Sequence, residues 1–225
     1  MDPTCPRILP VSLVLACAFL LGAPLKSNAA TITVNFDTVD ASLGPVDSTA
    51  YLASYGITLS SVSPGGSTIY TGQVGIFDDD FMPYEQASSG DNFLLQQTSG
   101  APAVSYTLNF STALTSLSFT RVKNITPNLV AAWTATAFSG TTALSSVSEG
   151  FGLGSYSAAT YSFAGPNITS LRVSANGYGA AGIASAMIDD LVLTSSAPVP
   201  DAANTLGLTA LSAGLLFAAR RRFMK

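Results

Sequence analysis

The chain has 225 residues, of which 48% are apolar and only 10% charged, against about 25% charged in an ordinary soluble domain. It contains no histidine, and its two cysteines, Cys5 and Cys17, lie within the first seventeen residues. Histidine chemistry, a zinc site, and thiol catalysis or disulfides in a mature body are thereby excluded. Between residues 31 and 200 the basic residues are Arg121, Lys123 and Arg172 against eleven acidic ones, a net charge of −8. So few cations exclude nucleic acid as a partner.

The N-terminal 29 residues read as a secretory signal. Arg7 marks a short basic region, residues 8–21 form an apolar run interrupted by Pro10, and Ser27-Asn28-Ala29 supplies small residues at −3 and −1. Cleavage is expected after Ala29 or one residue later. An uncleaved anchor would be shorter than a span requires. Lipidation at Cys17 would need a small residue where Leu15 stands.

The body, residues 30–197, is nearly free of helix formers and rich in Ser, Thr, Gly, Val, Phe and Tyr. Ile32, Val34 and Phe36 share one face of a first strand. Tyr106, Leu108 and Phe110 share a face of another, and Leu117 with Phe119 and Leu171 with Val173 repeat the alternation. Further strands are predicted over 51–62, 68–77, 129–138 and 183–194. Turns are predicted at Pro64-Gly65-Gly66, Ser88-Ser89-Gly90-Asp91 and Gly165-Pro166-Asn167. No repeat at a fixed period and no internal linker is visible. The expectation is an all-β fold, a single β-sandwich of jelly-roll type.

The C-terminus has three parts in order. Val199-Pro200-Asp201 is a turn-prone motif, residues 202–219 are uncharged, and Arg220, Arg221 and Arg222 form a basic cluster ahead of Lys225. Eighteen helical residues span about 27 Å, close to a hydrocarbon core of about 30 Å. Arginines beside a span stay cytoplasmic, which puts the body outside. Ala210, Gly214 and Ala218 recur at a spacing that suits close helix approach, and equally suits the ordinary composition of a weak span.

Motif, span and arginines together resemble the C-terminal sorting signal of PEP-CTERM proteins, in its Val-Pro-Asp variant. The matched residues are Val199, Pro200 and Asp201, then Thr205-Leu206-Gly207-Leu208, then Arg220–Arg222. Asp201 stands where the parent family has Glu, and Ala202-Ala203 where Ser-Gly is common in the variant. The resemblance implies a Gram-negative-type envelope and cleavage near the motif by exosortase, a membrane cysteine transpeptidase. It also implies association with secreted exopolysaccharide or biofilm matrix. A tail anchor that is never processed is the plainer alternative. Within the body, Tyr51…Tyr55-Gly56-Ile57-Thr58-Leu59 and Ile188-Asp189-Asp190-Leu191-Val192-Leu193 are similar to β-sandwich domains of secreted bacterial proteins, which are often compared with carbohydrate-binding modules.

Three chemistries are open to such a body. A glycan hydrolase needs two carboxylates facing each other across a sugar; Glu85, Glu149 and nine aspartates are available, but no spacing pairs any two. Calcium takes six to eight oxygen ligands, for which Asp37, Asp78, Asp80, Asp189 and Asp190 are the candidates. Asp37 and one of Asp189 or Asp190 could share an ion if the first and last strands are neighbours. Alternation would send Asp189 and Asp190 to opposite faces unless a bulge intervenes. No EF-hand spacing is present, and solvated turns explain the same aspartates. Sugar binding would use Tyr156, Tyr161 and Tyr178, whereas Trp133 belongs to the core. Taken together, the expectation is a secreted, non-catalytic structural or adhesive protein. A carbohydrate-binding module is the first alternative and a carboxylate-based hydrolase the second.

Overall fold

The computed structural model describes residues 29–66, 71–81, 85–99, 103–124, 132–150, 157–176 and 183–195. In chain order the elements are β1 (Ala30–Val34), β2 (Val46–Asp47), α1 (Thr49–Ser54), β3 (Ile57–Ser63), β4 (Thr71–Asp78), β5 (Glu85–Gln86) and β6 (Asn92–Ser99). There follow β7 (Ala103–Arg121), β8 (Lys123–Asn124), β9 (Ala132–Ser139), β10 (Thr142–Glu149), β11 (Ala159–Asn176) and β12 (Ile183–Ser195).

Two long strands organise the molecule. Strand β11 runs antiparallel to β7 along nearly its whole length. The other edge of β7 is divided, with β3 against its first half and β12 against its second. One half-sheet is therefore β10-β9-β11-β7-β3, and the other is β11-β7-β12-β6-β4-β2, with β1 beside β12. The two half-sheets are continuous through β7 and β11 and pack over one core, the arrangement of a β-sandwich. Buried Tyr106 and Leu108 on the first half, Leu117 and Phe119 on the second, and Trp133, Leu171, Leu94 and Ile188 belong to the same cluster. A smaller cluster of Phe77, Phe93, Leu95, Val122 and Met187 forms a second buried set.

The expected inward faces are observed. Val34 and Phe36 are fully buried, and Trp133 is 2% exposed. Two local expectations differ. Residues 51–62 divide into the end of α1 and strand β3. The run Thr49–Ser54 carries two alanines and Leu52, and buries Leu52 against the core. Gly56, at φ +71°, ends the helix by donating its N–H to Ala53 O, and a Cβ there would overlap Ser111 Oγ. The cluster Gly165-Pro166-Asn167 does not end a strand but lies inside β11. The β7–β11 register shifts there, with Asn167 at φ +59°. Proline is tolerated in a sheet at such a bulge.

Candidate functional site

Strand β4 ends at Asp78 and β6 begins at Asn92, and these two residues are cross-strand partners. Directly opposed side chains share a face of the sheet. The next pair, Phe77 and Phe93, stacks on the other face with ring centroids 6.4 Å apart. Asp78 and Asn92 thus lie on the face of Ile76 and Leu94, which is the inner face of the sandwich. They occupy its mouth. The turn following β1 crosses that mouth: Asn92 Nδ2 donates to Val39 O at 2.8 Å and to Phe36 O at 3.4 Å, and Asn92 N donates to Asp37 Oδ1 at 3.4 Å. Gly90, at φ +50°, lies so close to Asp37 that a Cβ would overlap its carboxylate. An open cleft of about 350 Å³ results, lined by Asp37, Asp40, Asp78, Asp91 and Asn92 among others, with no lysine or arginine in its walls.

The wall carried by residues 88–92 is braced from β12. Asp189 is fully buried. Its Oδ2 accepts from Ser88 N at 2.9 Å, Ser88 Oγ at 2.8 Å and Ser89 N at 3.2 Å, and its Oδ1 accepts from Asp190 N at 2.7 Å. Burial pushes the Asp189 carboxyl above the usual carboxylate range, against these hydrogen bonds. Asp190 adopts φ +48° at a register shift between Asp189 and Val192. That bulge cancels the alternation, and Asp190 also faces the loop, accepting from Ser89 Oγ at 2.6 Å and lying 2.7 Å from Ser88 Oγ, whose single proton it shares with Asp189.

The structure therefore divides the aspartates singled out in the sequence. Strands β1 and β12 are neighbours as expected, yet Asp189 and Asp190 are engaged by Ser88 and Ser89, while Asp37 and Asp78 line the cleft. Asp80 is exposed and its N–H donates to Asp78 Oδ1 at 2.9 Å. Among the described residues no three acidic side chains form a group able to hold a metal. Asp40, Gly90, Asp91 and Asn92 escaped the sequence reading. The turn signal at Ser88-Ser89-Gly90-Asp91 was visible, but not what faces it.

The other candidates lie elsewhere. Glu149, at the end of β10, meets Arg121 through Nε–Oε2 at 2.8 Å and Nη2–Oε1 at 2.9 Å, and also accepts from the Tyr161 hydroxyl. The Tyr161 ring stacks on Trp133 at 5.7 Å and touches Phe119 at 6.1 Å, so it is half-buried rather than a free platform. Glu85 is buried where β5 pairs with β8. Ala29 is exposed immediately ahead of β1. Tyr156, Tyr178, the motif Val199, Pro200 and Asp201, the span 202–219 and Arg220, Arg221 and Arg222 lie outside the described residues. Among the described residues no helix is long and apolar enough to cross a membrane.

No protein-family model and no curated protein matches the chain. Similar solved structures include the K2 cleaved adhesin domain of Lys-gingipain, at 12% identity and a TM-score of 0.46, over 73% of this chain and 99% of that one. Another is TmCBM61, solved with β-1,4-galactotriose, at 12% identity and a TM-score of 0.37, over 63% of this chain and 92% of that one. A third is the arabinose-bound α-L-arabinofuranosidase MgGH51, at 15% identity and a TM-score of 0.41, over 71% of this chain but 25% of that one. These resemblances are too distant to carry an argument about ligand or activity.

Proposed function

We propose that this chain is an exported, non-catalytic adhesive or structural protein of the cell surface or extracellular matrix, whose sandwich mouth is its binding face. The observation that carries the reading is the open, oxygen-lined cleft, walled by loops that part-buried hydrogen bonds hold in place. A concave surface rich in acceptors suits the hydroxyl groups of a polysaccharide. Leu43, 97% exposed, and Phe81, 46% exposed, follow cleft-lining segments and offer apolar contact beside it. A carbohydrate-binding module is the molecular form such adhesion takes here, on a sandwich of jelly-roll type. Glu149 is engaged by Arg121, which favours a structural role for it over hydrolysis.

Delivery follows from the two ends. A signal peptide cleaved after Ala29 exports the body. The segment 198–225 then holds the precursor in the membrane through residues 202–219, with Arg220–Arg222 inside, until an exosortase-type transpeptidase cuts near Val199–Asp201. The test has two arms. Co-sedimentation with the host's exopolysaccharide should retain the protein, and release of reducing ends from that polysaccharide would overturn the non-catalytic reading. Intact mass from the native host should show a species ending near residues 199–202 outside the cell. A species ending only at Lys225, confined to membranes, would overturn the sorting.

A further inference from the structure

We propose that the sandwich mouth binds one calcium ion through the carboxylates of Asp37 and Asp78 and the amide oxygen of Asn92. The proposal does not depend on the adhesive reading. Its starting point is Asn92, which lines the cleft and is 5% exposed. Both carbonyls that its Nδ2 meets, Phe36 O and Val39 O, fix which end of the amide is which. The other arm, Oδ1, is buried and has no hydrogen-bond partner among the described residues. A buried acceptor of this kind ordinarily finds a donor.

No side chain in the walls of the cleft supplies one. Ionised carboxylates accept only, and the two hydroxyls of the lining are spent: Ser42 Oγ donates to Asp40 Oδ1 at 2.6 Å, and Thr38 Oγ1 donates to Tyr51 OH at 3.4 Å. No ammonium or guanidinium belongs to the lining. Each carboxylate also has capacity left. Among the described residues, Asp78 Oδ1 accepts the N–H of Asp80 and Asp37 Oδ1 the N–H of Asn92, and no other donor is seen on either. What remains among the lining side chains is a set of oxygens on three separate segments, with acceptors in excess and side-chain donors lacking. A hard cation answers that deficit.

Calcium fits this set better than magnesium. It accepts carboxylate and amide oxygens in irregular geometry, whereas magnesium demands a near-ideal octahedron. Among the described residues no three acidic side chains form a group by themselves; in this proposal the amide oxygen joins the two carboxylates that line the same cleft. With two charges the expected dissociation constant is about 10⁻⁴–10⁻³ M, the range of extracellular modules. The ion would tie the turn after β1 to β4 and β6.

The full chain, purified in detergent, should show a saturable rise in Tm on titration with calcium chloride, and little with magnesium chloride at matched ionic strength. Asp37→Asn and Asp78→Asn should each weaken the apparent affinity about tenfold or more. Asp47→Asn, on β2 and outside the cleft lining, should leave it unchanged. Asn92→Asp, which keeps an oxygen at the site, should retain binding. Absence of a saturable calcium-specific shift in the wild type would overturn the proposal, as would an undiminished shift in Asp37→Asn and Asp78→Asn. Should those variants fail to fold, equilibrium dialysis of the wild type against ⁴⁵Ca²⁺ decides: one ion per chain supports the site, and none overturns it.

Discussion

Replacing Glu149 with alanine strands a guanidinium inside the protein. Arg121 is 3% exposed and Glu149 14%, and two nitrogen–oxygen contacts of 2.8 and 2.9 Å join them. Arg121 keeps Val122 O and Ser157 O, each at 2.8 Å, after the change. It loses the Glu149 carboxylate as a countercharge, and Tyr161 loses it as an acceptor for its hydroxyl. Breaking a buried pair from one side costs about 3–5 kcal/mol. In a body of this size each kcal/mol moves Tm by about 2–4 °C, so the fall should be about 6–20 °C. Differential scanning calorimetry of the wild type, Glu149→Ala and Arg121→Met/Glu149→Leu measures it. The double variant should recover most of the loss, because apolar side chains of similar volume remove both charges together. A loss under about 1 kcal/mol in Glu149→Ala, the range of an exposed pair, would refute the reasoning.

Gly90→Ala should cost more than about 1 kcal/mol, since alanine meets both an unfavourable φ and the Asp37 carboxylate; an unchanged urea midpoint would show that the loop does not approach Asp37 so closely. Trp133→Ala should cost about 3–5 kcal/mol, while Leu43→Ser, on a fully exposed side chain, should stay within about 0.5 kcal/mol by the same denaturation. Asp189 governs part of the pH dependence. Its folded carboxyl binds a proton more tightly than the unfolded one, because burial raises it. The resulting stability is complete below the unfolded value of about 3.9 and is lost as pH rises through the raised folded value. Tm measured from about pH 3 to 7 should therefore change less steeply in Asp189→Asn than in the wild type; parallel curves would contradict a raised carboxyl.

What could be read from the sequence was whatever a short stretch decides alone. Side chains alternate across a strand whatever the strand pairs with, so the burial of Val34 and Phe36, of Tyr106 and Leu108, and of Trp133 followed from spacing. Class followed from composition, since a chain so poor in helix formers and so rich in Thr, Val and aromatics has little but sheet open to it. Helix α1 was hidden because six residues hold too few turns to show a period, and Leu52 is its one buried side chain. Gly165-Pro166-Asn167 carries the residues of a turn, and only the partner strand β7, continuing past it, makes it a bulge. The bulge at Asp190 likewise depends on β7, and it brings two adjacent aspartates to one loop. The cleft is the extreme case. Asp37, Asp78 and Asn92 come from three segments, and they meet only because β4 pairs with β6 in one register and the turn after β1 lies across them. Local rules fix which way a residue faces along its own strand; which distant residue it faces is settled by strand pairing, and no stretch of sequence contains that by itself.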